Sequence, residues 1–227
     1  MRSYSYLNTA KTIIQSYDGN IPLATWLKQF FKSDKKFGSK DRKQISHLCY
    51  CFYRLGNAFQ NLDAEERMLT ALFLCSDNPN KVLEELKPGL NERISLPITE
   101  KINLLLAKEE IEQIFAFTTS LSKEIEQQPF NLSFLIQPDL YLRIRPGKKK
   151  KVIQQLQDAE IIFTLLGEDC IQLSNQSKID ESVNIDEDVI VQDYNSQKTL
   201  DLFTNFKPQT FRMGLLCCQR RKVYFIS

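Results

Sequence analysis

The residues whose types and spacing promise chemistry in this sequence are mostly cations. Arg143, Arg145, Lys148, Lys149, Lys150 and Lys151 put six positive charges into nine positions with no acid among them. Placed at the end of a strand and the start of a helix, such a run presents a concentrated positive edge to a phosphate backbone. Cations at a helix N-terminus also oppose the helix dipole, a small local cost that points to a use. The plainer alternative is a solvated charged face, which is what most charge runs are. A second patch, Lys32, Lys35, Lys36, Lys40, Arg42 and Lys43, flanks Phe37 and is diluted by Asp34 and Asp41. Helical spacing then sets Lys43, His47, Tyr50 and Arg54 on one face, either a track for RNA or the wet side of an amphipathic helix. The candidate RNA-binding residues are therefore the Arg143–Lys151 cations together with Lys35, Lys36, Lys40 and Lys43.

Acid–base and nucleophilic groups are scarce. The only histidine, His47, sits on a lysine-rich helix and reads as a structural residue rather than a general base. None of the six cysteines forms a C-x-x-C pair. Cys49 and Cys51, two apart on an expected helix, point to different faces, so no metal site is expected. Free thiols in a reducing compartment are the reading that remains. The seven glycines make neither a dinucleotide fingerprint nor a P-loop. No catalytic residue emerges.

These groups need elements to hold them. With 227 residues, 42% hydrophobic and 26% charged, the chain has ordinary globular composition and allows one large domain or two small ones. A net charge of +2 is too near neutral to name a partner. It conceals segregation, since residues 160–201 are acidic and the basic runs lie elsewhere. No apolar run approaches the roughly 20 residues of a membrane span, and Met1–Asn8 has no apolar leader core. The expectation is a soluble cytoplasmic protein with no membrane partner.

Apolar periodicity predicts a helical first half. Helices are expected at 6–17, stopped by Asp18-Gly19, and at 21–32, with Pro22 in the first turn and Trp26, Leu27, Phe30 and Phe31 inward. A third is expected at 40–55 behind an N-cap at Ser39, with Ile45, Leu48, Cys49 and Phe52 in one stripe. Asp63 and Glu66 resemble a capping box opening 64–75, and weaker helices follow at 81–86, 99–107 and 109–117. After Pro138 the texture changes to a strand at 140–145 closed by Pro146-Gly147, and a helix at 148–159. Strands at 161–165, 170–173 and 189–191 and a helix at 195–203, with Leu200 and Phe203 inward, complete the pattern. That order implies a small α/β sandwich. The expected division is a helical domain over 1–132, an α/β module over 133–206, and a tail over 207–227.

Two stretches resemble a known family. Pro22-Leu-Ala-Thr-Trp-Leu-Lys-Gln-Phe-Phe31, Phe37-Gly-Ser-Lys-Asp-Arg-Lys-Gln-Ile45 and Tyr53-Arg-Leu55 resemble the NusB-like N-terminal region of the Fmu/Sun-type RNA cytosine-C5 methyltransferases, bacterial relatives of the nucleolar Nop proteins. Leu142-Arg-Ile-Arg-Pro146, the lysine-rich helix and Val191-Gln-Asp-Tyr-Asn-Ser-Gln197 resemble the α/β module that precedes the family's methyl-donor domain. The resemblance implies a fold of a helical NusB-like domain plus a small α/β module. It also implies a role in positioning rRNA or tRNA for a methyl transfer from S-adenosylmethionine to C5 of cytosine. In that chemistry a cysteine thiolate attacks C6 of the exposed base. It implies that Asp41, Arg42 and Arg54 are structural, and that Gln192 and Asp193 lead into the donor domain. A different class, a non-enzymatic NusB-like RNA-binding or antitermination-type adaptor, fits the same basic elements, as does an interaction module whose charges are merely solvated.

The departure from the family lies in the tail. The family continues into a Rossmann-like domain with a glycine-rich donor loop and two cysteine-bearing catalytic motifs, and Phe206–Ser227 shows neither. Cys217-Cys218 matches neither catalytic motif, so no catalytic or cofactor-binding residue is assigned. Permitted codons for Arg212–Lys222, read one base later, encode Val-Trp-Asp-Cys-Cys-Ala-Ala-Ser-Gly-Gly-Lys. That resembles the family's donor-binding Asp-x-Cys-Ala-Ala-Pro-Gly-Gly-Lys, whose glycines let backbone N–H groups approach the cofactor. The tail is therefore expected to be a frameshifted reading in which Arg220 and Arg221 replace those glycines. Calorimetry of this chain with S-adenosylmethionine is expected to show no binding. Sequencing the gene through the Arg212 codon is expected to reveal Gly-Gly-Lys in the shifted frame. Tight donor binding, or an in-frame stop with no such coding, would overturn the idea.

Overall fold

A computed structural model describes residues 2–34, 36–175, 177–199, 214–216 and 223–225. The chain divides into two compact units, Met1–Gln137 and Pro138–Ser227. The first is helical: α1 (Arg2–Ser16), α2 (Leu23–Ser33), α3 (Ser39–Arg54), α4 (Ala64–Leu74), α5 (Lys81–Leu86), α6 (Pro88–Asn91), α7 (Ile98–Leu104), α8 (Lys108–Glu112) and α9 (Gln127–Leu135). α4 is the axis of this unit, because every residue from Met68 to Leu74 is buried. A helix apolar on all sides is stable only when other helices enclose it. α1, α3, α5 and α7 pack against it, bringing Leu7, Ala10, Ile13, Ile45, Leu48 and Cys49 into one core. Its N-terminus is capped as expected, with Asp63 Oδ1 accepting from the Glu65 and Glu66 N–H groups at 2.9 and 3.0 Å.

Polar clasps hold the periphery of this unit. Tyr6 donates to Asp41 Oδ1 at 2.6 Å, tying α1 to α3, while Asp41 Oδ2 accepts the Gly38 N–H at 3.0 Å. Gly56, at φ +51°, ends α3 where any Cβ would collide with the Ile114 carbonyl oxygen, so only glycine fits. The buried Asn131 accepts from Phe115 N–H and donates to Glu112 O, both at 3.2 Å, which fastens α9 to the loop after α8.

The second unit is a four-stranded antiparallel sheet with a helix: β1 (Leu140–Ile144), α10 (Lys149–Asp158), β2 (Phe163–Leu166), β3 (Cys170–Leu173), β4 (Val189–Val191) and α11 (Tyr194–Lys198), in sheet order β2-β3-β1-β4. Period-2 alternation puts Leu142, Ile144, Ile171, Leu173 and Val189 on one face, where Val152 and Leu156 of α10 cover them with Ile179 and Val183. Gly147 (φ +76°) and Gly167 (φ +77°) make the turns after β1 and between β2 and β3. The architecture is a helical unit followed by an α+β unit with a small antiparallel sheet.

Several expectations need correction. Gly38 is the N-cap of α3 and Ser39 its first residue, because Asp41 reaches back to the Gly38 amide. Between the stretches expected at 81–86 and 99–107, Pro88 opens a further short helix that was not expected, since proline suits a first turn. The helix expected at 109–117 stops at Glu112, and α9 has no apolar stripe that could announce it. The expected divide at 132/133 falls inside α9, whose Leu135 belongs to the helical core. Trp26 and Phe52 are half-buried against that core rather than within it. Trp26 stacks on Phe30 with ring centroids 5.4 Å apart, and the Arg67 guanidinium lies 4.4 Å over Phe52. In the tail, β5 (Gly214–Leu216) and β6 (Val223–Phe225) pair antiparallel. The rest of 207–227, with Leu200 and Phe203, lies outside the described residues.

These burials predict an order of stabilities by urea unfolding. Leu48→Ala, in the fully buried stripe, is expected to cost about 2–5 kcal/mol. Trp26→Ala is expected to cost only about 1.5–3 kcal/mol, because part of its ring stays in water. A Trp26 effect exceeding that of Leu48 would contradict this packing.

Candidate nucleic-acid interface

The structure brings an acid to the run that lacks one in sequence. Before β4 the chain makes a tight turn in which Asp186, at φ +74°, donates its N–H to Val189 O at 2.7 Å, and Asp188 N–H reaches Asn184 O at 2.9 Å. Arg145 N–H donates to Asp188 O at 2.9 Å, extending the β1–β4 ladder by one rung. This turn delivers the Asp188 side chain, only 1% exposed, to the start of α10. Lys151 Nζ stands 2.6 Å from Asp188 Oδ2 and Lys148 Nζ 3.2 Å from Oδ1. Lys148 and Lys151 are three apart and share a side of the helix; Lys149 and Lys150 do not.

A buried carboxylate is costly unless paired, and here two ammonium groups pair it. Their hydrogen bonds, Lys151 first and Lys148 after it, outweigh the opposing effect of desolvation and hold the Asp188 carboxyl below its ordinary range. A carboxylate beside the first turn also offsets the unfavourable cations there. Arg143 Nε lies 3.4 Å from Asp169 Oδ2, and the Arg145 guanidinium donates to Asp186 O at 3.0 Å. The expectation of a run with no neutralising acid therefore holds along the chain but fails in space. Lys149 and Lys150 remain exposed, with no acid within ion-pair distance among the described residues. Nearby, Tyr141 stacks on Tyr194 with centroids 5.7 Å apart, and Lys198 Nζ lies 5.6 Å from the Tyr194 ring.

In the helical unit, Lys35 lies outside the described residues. Lys36 pairs with Asp34 at 2.7 Å and lies 4.8 Å over the Phe37 ring, whereas Lys40 and Lys43 are exposed. The face proposed to carry Lys43, His47, Tyr50 and Arg54 is not uniformly wet. His47 turns to Ser76 Oγ at 3.3 Å, and Arg54 donates to the Gln137 side chain. Burial first, then the Arg54 and Lys43 charges, keeps the His47 imidazole below its ordinary range and so neutral. Arg42 donates from Nε to Phe37 O at 2.9 Å, a structural contact.

Asp188 is the residue that sequence reasoning missed. Its only signal was an acid directly before the short apolar Val189–Val191 strand, and Glu187 beside it looked the same. Among the described residues, no group of His, Cys, Asp and Glu side chains is arranged to hold a metal, and no helix is long and apolar enough to cross a membrane. Compared with known proteins, the chain matches no family model and no curated protein sequence.

The Asp188 pairing sets a pH dependence. Its folded pKa lies below the ordinary value of 3.8, so its ionisation stabilises the fold above the unfolded pKa and is lost as pH falls through the folded one. Asp188→Asn is expected to melt lower than the native chain at pH 7, with the gap closing below about pH 4. A gap followed by circular dichroism that stays constant down to pH 2 would show that the carboxylate is not held ionised by the lysines.

Proposed function

We propose that this chain binds RNA through the Arg143–Lys151 edge, as the RNA-positioning part of a Fmu/Sun-type RNA cytosine-C5 methyltransferase, with a NusB-like helical domain ahead of the α/β module. The observation that carries the RNA reading is the division within the lysine run. Lys148 and Lys151 anchor α10 to Asp188, and this leaves Lys149 and Lys150 held outward as unneutralised charges. Two cations on an anchored helix start lose less freedom on meeting a phosphate backbone than two on a loose loop. The family reading draws support from the two segments of the α/β likeness. Leu142-Arg-Ile-Arg-Pro146 and Val191–Gln197 are neighbours, with Leu142 directly opposite Val191.

Methyl-donor chemistry is not assigned to this chain. The glycines Gly56, Gly147 and Gly167 stand singly at a helix end and in turns, and offer no backbone cradle of the kind a donor loop needs.

Fluorescence anisotropy with a labelled single-stranded RNA at several salt concentrations tests it. Lys149→Gln with Lys150→Gln is expected to weaken binding and to reduce the slope of log affinity against log salt by about 1.5, with the melting temperature unchanged. Lys148→Gln with Lys151→Gln is expected to lower the melting temperature instead, because Asp188 loses its partners. Unchanged affinity and slope in the Lys149/Lys150 variant would show a solvated face and end the proposal.

A further inference from the structure

The helical unit has a cleft of about 560 Å³ between α1 and the end of α2 with the loop after it, a size within the roughly 300–1,000 Å³ of small-ligand sites. α1 buries Ser3, Leu7, Ala10 and Ile13. The row Tyr4, Asn8 and Thr12, at i, i+4 and i+8, lies off that face and lines the cleft with Thr9 beside it. Phe30, Lys36 and Phe37 line the rest. The Phe30 and Phe37 rings stack with centroids 6.3 Å apart, and Phe30 stacks in turn on Trp26 at 5.4 Å. Lys36 Nζ lies 4.8 Å over the Phe37 ring.

The two threonines give the α1 wall a one-sided hydrogen-bonding character. Thr9 Oγ1 donates to Ser5 O at 2.8 Å and Thr12 Oγ1 to Asn8 O at 3.0 Å. Each hydroxyl proton is committed to the main chain one turn back, and only the oxygen lone pairs are left for a ligand. A ligand must therefore bring N–H groups to these two positions. The Asn8 amide carries both a donor and acceptors and serves either kind of partner. Flat aromatic rings line the same cleft, and Tyr4 adds one that is 55% exposed. The Lys36 side chain is 68% exposed, so water screens its pair with Asp34 and the ammonium is open to a second anion. Lys40 and Lys43 are exposed on α3, which follows the loop. A flat ring that presents N–H groups and carries an anion is a nucleotide whose base bears an amino group.

We propose that this cleft holds one unpaired, amino-bearing base of a single-stranded RNA. The exocyclic amino group meets Thr9 and Thr12, the base plane lies against the aromatic rings, and the adjoining phosphate meets Lys36. This second contact, in the helical unit, rests on the reading of the chain as RNA-binding. Cytosine and uracil are the decisive pair of bases. They have nearly the same shape and stacking area, but cytosine carries an amino group where uracil carries a carbonyl oxygen. A carbonyl oxygen set against two oxygens with no proton to offer is left unpaired. Stacking accepts any base, so the rings supply affinity and the threonines supply the choice of base.

Fluorescence anisotropy of the full chain with labelled cytidylate and uridylate octamers tests this. The cytidylate octamer is expected to bind about fivefold more tightly or better. Thr9→Val with Thr12→Val keeps the shape of the wall and is expected to bring that ratio below about twofold, with uridylate affinity and the melting temperature unchanged. Tyr4→Ala is expected to weaken both octamers alike, by roughly fivefold. Lys149→Gln with Lys150→Gln is expected to weaken both and preserve their ratio, which separates this cleft from the Arg143–Lys151 edge. Unlabelled cytidine 5′-monophosphate, the free-nucleotide arm, is expected to compete about tenfold more weakly than the octamer or worse, because it brings a single phosphate. Equal affinity for the two octamers would overturn the cleft while leaving the edge to stand on its own variant. A preference that survives the double threonine substitution, or cytidine monophosphate binding as tightly as the octamer, would overturn it too.

Discussion

A buried carboxylate between two lysines governs the second unit. Asp188 lies where the turn before β4 meets the start of α10, and Lys148 and Lys151 close over it. Its main-chain carbonyl extends the β1 ladder through Arg145, so the same residue positions a strand by its backbone and a helix by its side chain. A low-exposure carboxylate fixes geometry because moving either lysine away leaves one of its buried oxygens without its partner. The outward projection of Lys149 and Lys150 follows from helical geometry once their two neighbours are committed inward.

The helical unit depends on a different constraint. α4 is apolar on all sides, so neighbouring helices must wrap it, and the polar groups caught between them must satisfy one another. Asn131 and Asp41 do so locally at two separate joints. Another such collection lies where α3, α7 and the end of α4 meet, with His47 beside Cys51 and Ser76 and the buried Lys101 donating to Ser76 O. Burial pushes the Cys49 thiol up to about 12.

Element type was legible wherever a period was strong. The stripe of α3, the cap at Asp63, the alternation of β1 and the Pro146-Gly147 turn are local patterns that act over a few residues. The α9 helix was not legible, because one of its two buried residues, Asn131, is polar and serves two backbone groups, which leaves Leu135 without an apolar stripe to mark the face. The boundary between units was misplaced for the same reason: Leu135 counts as core only once Asn131 has docked α9 onto the loop after α8.

The chain by itself determined where most helices and strands form and that positive charge concentrates at residues 143–151, since propensity, periodicity and charge are local properties. Tertiary structure alone decided which of those charges face solvent. Asp188 is separated from Lys151 by 37 positions, and Lys101 reaches the Ser76 carbonyl only because α7 packs against α4. Coulombic and hydrogen-bond energies depend on distances of a few ångströms through space, and no spacing along the chain encodes those distances.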